Sequence, residues 1–182
     1  KEFKETIVCN TAISYDSAEK IIKNNSSHDI TKLHNLTKKI LKAENIPATK
    51  LVEHFMVLYN SSVAEILYKY DEKTILRNHK KIEFNFDKSI HCDLSNYLSR
   101  LNQNAALYTN NGDNSGHEDL GLEFYTHATS PIRRYVDIIN QINLVKLINL
   151  GKIDFIENIE IVNLFNKNLR KFYNNYKKLN VI

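Results

Sequence analysis

Two adjacent arginines, Arg133 and Arg134, are the residues of this sequence whose type and position suggest chemistry most directly. They follow Ser130 and Pro131 in the stretch YTHATSPIRRYVDIINQ, residues 125–141. Serine is a favoured N-cap and proline suits the first helical position, so the pattern predicts a helix with Ser130 as its N-cap and Pro131 as its first residue. Both arginines then lie in its first turn, where the positive end of the helix dipole disfavours cations.

An anion bound at the helix N-terminus would make this arrangement favourable. Backbone N–H groups and the dipole point at such a ligand, and each arginine adds two parallel donors that match a phosphate. Asp137 lies four residues after Arg133 and three after Arg134, so it can reach either guanidinium on a helix. Thr129 and Ser130 add hydroxyl groups. The spacing predicts an anion site; the alternative is a solvated face with a weak surface ion pair.

The elements that must position this stretch are mainly helical in the sequence pattern. Ser14 or Asp16 begins a capped helix. A second helix is predicted through DITKLHNLTKKILKA and a longer one through KLVEHFMVLYNSSVAEILYKY. The apolar face of this longer helix is expected to consist of Leu51, Phe55, Leu58, Val63 and Ile66.

The remaining segments predict short strands and two further helical regions. The pattern predicts a short extended segment in TILRNHKKIEFNF and a small helix in DLSNYLSRLNQ. It predicts a polar loop in TNNGDNSG. Gly151 is expected to end the helix that follows the arginines, and residues 153–179 have rough helical spacing. We therefore expect an α+β fold, mainly helical, with short strands.

Composition sets loose limits on partners and location. The 182 residues, 42% of them hydrophobic, suit one domain or a large piece of one. A net charge of +4 permits an anionic partner without requiring it. No apolar run reaches about 18 residues, so we expect no membrane span. Cys9 and Cys92 form no pair motif, which favours free thiols in the cytoplasm or another intracellular reducing compartment.

Residues 125–141 closely resemble the signature of the ribonuclease II family, whose catalytic module is the RNB domain. The matching positions are Tyr125, Thr129, Ser130, Pro131, Ile132, Arg133, Arg134, Tyr135, Asp137 and Gln141. Further segments resemble the family in the same order: SYDSAEKII, LVEHFMVLYNSSVAE, LRNH, AALY and HEDLGLEFYTHATSP. The resemblance extends from about Lys4 to Leu179.

The resemblance implies a hydrolytic 3′→5′ exoribonuclease that acts on single-stranded RNA and releases nucleoside 5′-monophosphates. Metal ions, Mg²⁺ by this resemblance, would be held by a cluster of aspartates and would activate water and stabilise the leaving oxygen. Arg133 would be the catalytic contact to the scissile phosphate. The substrate-binding residues would be Arg134, Thr129, Ser130 and Tyr125, and the orienting residues Asp137 and His127.

The family's aspartate cluster lies upstream of the aligned region, and we assign no metal ligand within residues 1–182. We interpret residues 1–182 as the C-terminal part of an RNB domain, with the metal-binding part upstream and an OB-type domain downstream, both outside this chain. We expect the chain alone to be inactive. The alternative is a non-catalytic RNA-binding derivative of the same fold. The sequence leaves the oligomeric state open.

Several side chains around the signature have structural alternatives. Tyr125 either stacks on a base or packs in the core. His117 and His127 flank the expected phosphate site, and the resemblance gives them a positioning role in preference to that of a general base. Asn60, on the long helix, is expected to satisfy buried backbone groups.

Overall fold

The computed structural model describes residues 11–79, 106–110 and 115–153, together with 159–160, 162–165, 167–168 and 171. The described residues fall into two compact units that divide between Tyr59 and Asn60. Cys9, Cys92 and the predicted helix DLSNYLSRLNQ lie outside the described residues, as does half of the predicted loop TNNGDNSG, residues 111–114.

The first unit begins with a helical hairpin. Helix α1 spans Tyr15–Asn24 and helix α2 spans Asp29–Leu41, and the two pack together. Ser14 is the N-cap of α1, because its side chain accepts a hydrogen bond of 3.2 Å from the backbone N–H of Ser17. The predicted cap at Ser14 is confirmed. His28 caps α2 in the same manner, through its imidazole Nδ1.

Helix α3 spans Ala48–Tyr70 and matches the predicted long helix. Leu51 and Val63 are buried as expected, but Leu58 is 46% exposed, so its assignment to the buried face was wrong. The reason is that a different face of the helix is buried in its second half. The buried residues there include Asn60, Val63, Ala64 and Leu67.

The second unit contains a two-stranded antiparallel sheet. Strand β1 is Leu76–Asn78 and strand β2 is Leu107–Thr109, with Arg77 opposite Tyr108. The extended segment 125–130 runs beside β1, where the Arg77 N–H donates to the Tyr125 carbonyl at 2.7 Å. The expected combination of many helical residues with short strands is confirmed for the described part of the chain.

Helix α4 spans Tyr135–Leu150 and ends at Gly151, whose φ of 64° is the left-handed cap that the sequence predicted. Its predicted start, with Ser130 as N-cap and Pro131 as first helical residue, was wrong by four residues. Arg134 is the N-cap, with extended φ and ψ of −138° and 122°. Residues 131–133 form a turn in which the Arg133 N–H approaches the Ser130 carbonyl at 3.3 Å. The two arginines therefore precede the helix.

The core of the second unit lies between α3, α4 and the sheet. One cluster comprises Val63, Leu67, Ala128 and Leu144. The other comprises Ile75, Val136, Ile139 and Val162. The described residues between 159 and 171 are helical, as predicted for the tail. In the part of the chain that the structure describes, no helix is long and apolar enough to span a bilayer.

Candidate functional site

The extended segment 125–130 is held in place by amide side chains from two helices. Asn60 on α3 is 1% exposed and accepts from the Ala128 N–H at 2.9 Å. Its amide group also donates to the Tyr125 hydroxyl at 3.2 Å. The expectation that Asn60 satisfies buried backbone groups is confirmed.

Helix α4 supplies the other amides. Asn140, fully buried, donates to the Thr126 hydroxyl at 2.8 Å and to the His127 carbonyl at 3.0 Å. Gln141 donates to the Ala128 carbonyl at 2.6 Å. These contacts satisfy backbone groups that a lone extended segment would otherwise bury without partners. The segment is therefore fixed between α3, α4 and β1.

Asp137 locks the start of α4 to the end of this segment. Its carboxylate accepts from Arg134 twice, Nε at 2.7 Å and Nη2 at 2.8 Å, and from the Ser130 N–H at 2.7 Å. The Asp137 side chain is 0% exposed and that of Arg134 16%. A bidentate, largely buried pair of this kind fixes the guanidinium plane as well as its position.

The sequence allowed Asp137 to pair with either arginine. In the structure it pairs with Arg134 and not with Arg133. The Arg133 side chain is exposed, and its Nη2 lies 3.5 Å from the Ser130 hydroxyl. The reason is the delayed helix start, which places Arg133 in a turn and not one helical turn before Asp137. Its guanidinium is available to a ligand.

The helix dipole contributes less to anion binding than the sequence suggested. Asp137 lies in the first turn of α4, where its negative charge already complements the positive end of the helix. The predicted placement of both arginines in the first helical turn was wrong, and the anion site itself stays a prediction. Positive charge in this region comes from guanidinium groups.

A third arginine, Arg77 on strand β1, belongs to the site. The Arg77 guanidinium carbon lies 5.4 Å from the ring centre of Tyr108, and the Tyr108 hydroxyl lies 2.6 Å from Nδ1 of His127. Sequence reasoning missed Arg77 and Tyr108 as functional residues. The available signals were the segments LRNH and AALY, which were noted only as resemblances.

The pKa of His127 is lowered by its burial and by the positive charges around it. Burial, followed by the charges of Arg134, Arg77 and Arg133 and a smaller effect of His117, lowers the pKa of His127 to about 2. Among the described residues, Asp137 pairs with Arg134, whereas the positive charges of Arg77 and Arg133 also lower this pKa. These charges keep His127 neutral and have the sign that suits an anionic ligand.

The depressed pKa of His127 predicts acid lability. The unfolded chain protonates this imidazole near its ordinary value of 6.5, whereas the folded chain does not until about 2. Stability is therefore fully present above pH 6.5 and falls as pH drops below it, by about 2 kcal/mol between pH 8 and pH 5. Urea unfolding across this range should show the loss, and His127→Gln should flatten the slope. An equally steep slope in the variant would contradict the assignment.

The other substrate-binding candidates differ in accessibility. Tyr125 is 8% exposed, with its ring edge-on to His117 and His127 at 5.1 and 5.6 Å between centres. This burial favours packing over base stacking. Thr129 is partly buried, and its hydroxyl has no hydrogen-bond partner among the described residues. Ser130 directs its N–H to Asp137 and its hydroxyl towards Arg133.

A histidine pair lies on the far side of Tyr125. His79 and His117 have ring centres 5.2 Å apart, and Nδ1 of His79 lies 3.2 Å from the Asp119 carboxylate. Burial, more than the nearby positive groups, lowers the pKa of His117. Across the described ranges, no group of three or more His, Cys, Asp or Glu side chains is arranged to hold a metal ion. The metal site implied by the resemblance was expected upstream of residues 1–182, so it stays a prediction.

Comparison with known families decides the affiliation. The family model of the RNB domain matches residues 8–149, which is most of the chain. The chain belongs to the RNB family. The matched region includes the arginine turn, Asp137 and the residues around His127, so the site lies within the RNB domain.

Known proteins similar to this RNB chain are much longer. DIS3-like exonuclease 2 of Schizosaccharomyces pombe is 32% identical over 135 residues, covering 53% of this chain and 15% of that protein. Ribonuclease R of Buchnera aphidicola subsp. Schizaphis graminum is 27% identical over 180 residues, and the match covers 69% of this chain and 24% of that protein. The chain therefore spans less than a quarter of the length of either relative.

The fold also resembles that of a solved RNB-like protein. The structure of yeast Ssd1, described as a pseudonuclease, superposes with a TM-score of 0.62 over 87% of this chain and 28% of that one. Sequence identity is 15%. At this identity the likeness concerns the fold alone.

Proposed function

We propose that this RNB chain forms the phosphate-contacting part of a hydrolytic 3′→5′ exoribonuclease that acts on single-stranded RNA and releases nucleoside 5′-monophosphates. The observation that carries the proposal is the group of arginines near the neutral His127: Arg133 is exposed in the turn, Arg134 is fixed by Asp137, and Arg77 packs over the Tyr108 ring, whose hydroxyl contacts His127. Arg133 and Arg134 lie in the signature stretch 125–141, and all three arginines lie within the matched residues 8–149.

The two signature arginines have different tasks in this proposal. Exposed Arg133 contacts the scissile phosphate, where its permanently charged, planar pair of donors stabilises charge that develops as the phosphodiester bond breaks. Arg134 is fixed by Asp137, with contacts of 2.7 and 2.8 Å, and holds a neighbouring phosphate or braces the turn. The positive charges of Arg77, Arg133 and Arg134 provide sequence-independent attraction for RNA phosphates.

Thr129 and Ser130 frame the turn from the segment that precedes it. The Ser130 hydroxyl lies 3.5 Å from Arg133 Nη2, close enough for both groups to contact the same phosphate. Tyr125 serves as a buried support of this segment, because its ring packs between His117 and His127. Substrate contact then falls to the arginine turn and not to the Tyr125 ring.

The family resemblance also implies Mg²⁺, which would supply activation of water and charge neutralisation when bound. No cluster among the described residues fits such an ion. We therefore assign none of them as a ligand. The residues described here bind and orient RNA phosphate.

The test uses the full-length protein and a 5′-labelled single-stranded RNA with a free 3′ end. We expect stepwise shortening from the 3′ end, release of nucleoside 5′-monophosphates and loss of activity with a chelator. A blunt RNA duplex and a DNA strand of the same sequence are the matched substrates, and both should react more slowly. Internal cleavage products would contradict the exonuclease assignment.

The alternative, a non-catalytic RNA-binding derivative, predicts a different outcome. Tight binding of the same RNA without any product, at all metal concentrations tested, would establish it. Weak binding without cleavage would contradict both proposals. The intracellular reducing location expected from Cys9 and Cys92 stays a prediction.

A further inference from the structure

The hydrogen bond between Tyr108 and His127 has a direction that the surrounding charges determine. Tyr108 lies on β2 directly opposite Arg77 on β1, and its hydroxyl is 2.6 Å from Nδ1 of His127. The guanidinium of Arg77 packs over the phenol ring, 5.4 Å from its centre. A guanidinium donates hydrogen bonds and cannot accept them.

This arrangement favours the phenol as the donor in its bond to His127. Burial raises the pKa of Tyr108, against the smaller lowering effect of the Arg77 charge, so its hydroxyl keeps its proton. With a donor-only group beside it, the phenol proton has Nδ1 of His127 as its acceptor. A neutral imidazole that accepts at Nδ1 carries its own hydrogen on Nε2.

We propose that Tyr108 is a positioning residue that fixes His127 in the Nε2–H tautomer, so that His127 presents a hydrogen-bond donor, and not a base, to an oxygen of the RNA backbone at the arginine turn. This proposal rests on the proposed function for its ligand. The tautomer depends only on contacts within the chain, so it is tested without RNA.

The remaining contacts of His127 leave its ring little freedom. Asn140 holds the His127 carbonyl at 3.0 Å, and the Tyr125 ring meets the imidazole edge-on at 5.6 Å. The charged groups that act on His127 are Arg77 from β1 and Arg133 and Arg134 from the turn. All three oppose an imidazolium, and a general base works best with a pKa near the working pH. A neutral imidazole N–H can still stabilise a developing negative oxygen.

The first experiment requires no RNA. Nitrogen-15 NMR of the histidine side chains in the 182-residue chain distinguishes a protonated from an unprotonated ring nitrogen. The signals of His127 are identified as those that disappear in His127→Gln. We expect an unprotonated Nδ1 and a protonated Nε2, unchanged between pH 8 and pH 5. Tyr108→Phe should give averaged shifts that indicate both tautomers. Tyr70→Phe, which removes a hydroxyl bonded to the Gly151 carbonyl at 2.7 Å, is the matched control and should leave His127 unchanged.

A protonated Nδ1 in the unaltered chain would overturn the proposal, as would titration of His127 near pH 6.5. Unchanged His127 signals in Tyr108→Phe would remove Tyr108 from the positioning role. These outcomes are independent of whether the full-length protein degrades RNA.

The second experiment uses cleavage by the full-length protein. Glutamine places an amide N–H close to the position of Nε2–H but cannot act as a base. We expect His127→Gln to keep kcat within about threefold, His127→Ala to lose about tenfold, and Tyr108→Phe to lose about fivefold, as for one neutral hydrogen bond. The Tyr108→Phe effect should vanish in the His127→Gln background, which is the signature of coupled residues.

Equal loss of activity in His127→Gln and His127→Ala would indicate a base and overturn the donor role. If the full-length protein does not cleave RNA at all, the proposed function fails, and the NMR result still decides the tautomer.

Discussion

Replacing Arg133 with alanine in the full-length protein is expected to lower kcat for RNA cleavage by about 10²–10³-fold, the usual cost of removing one electrostatic donor from a transition state. RNA affinity should fall only modestly, because binding is distributed over many phosphates. The slope of the logarithm of the binding constant against the logarithm of salt concentration should become shallower by about one. Single-turnover cleavage at saturating enzyme measures the rate without interference from binding. Arg133→Lys should not restore the rate, because an ammonium lacks the planar pair of donors.

The exposure of Arg133 makes this experiment interpretable. Its guanidinium contact at 3.5 Å from the Ser130 hydroxyl is weak, so Arg133→Ala should leave the free energy of unfolding unchanged. Arg134→Ala is the contrasting variant, since it leaves the buried Asp137 carboxylate without its guanidinium. A folded Arg133→Ala protein that cleaves at the unaltered rate and merely binds RNA less tightly would reduce Arg133 to an ordinary phosphate contact.

Asp137→Asn is expected to destabilise the fold by roughly 3–5 kcal/mol, the range for removing one partner of a buried ion pair. The carboxylate accepts from three N–H groups at 2.7–2.8 Å and is 0% exposed. An asparagine would turn its own N–H groups towards one of these donors. We expect a lower urea midpoint in the 182-residue chain, measured by circular dichroism.

Lys69→Gln provides the matched control for Asp137→Asn within the same unit. Lys69 pairs with Glu65 at 2.9 Å, but its side chain is 69% exposed. Loss of such a surface pair costs at most about 1 kcal/mol. Equal destabilisation by the two variants would show that burial of the Asp137 pair adds nothing to its contribution.

Local signals in the sequence predicted the helices well and the site only in part. The side chain of Ser14 and the left-handed φ of Gly151 act within a few residues, so the caps of α1 and α4 were predictable. The start of α4 was not, because the pattern at Ser130 competes with a contact to Asp137 seven residues away. A buried carboxylate that takes the Ser130 N–H and the Arg134 side chain overrides the local preference for a cap.

The part of the site around His127 depends on contacts between distant segments. Tyr108 lies 19 residues from His127, and Arg77 reaches them only through the pairing of β1 with β2. No periodicity of the sequence encodes such an approach. Asn60 was predictable as a buried polar residue, but its partners at Ala128 and Tyr125 required the structure.

The amide contacts around segment 125–130 have a consequence for binding thermodynamics. This segment has no regular secondary structure, yet the N–H groups of Ala128 and Ser130 are bonded to Asn60 and Asp137. Their hydrogen exchange should be as slow as that of the core helices. The conformational entropy of the loop is therefore lost when the chain folds and not when a ligand arrives. Affinity for a ligand is not reduced by a further cost of ordering this loop.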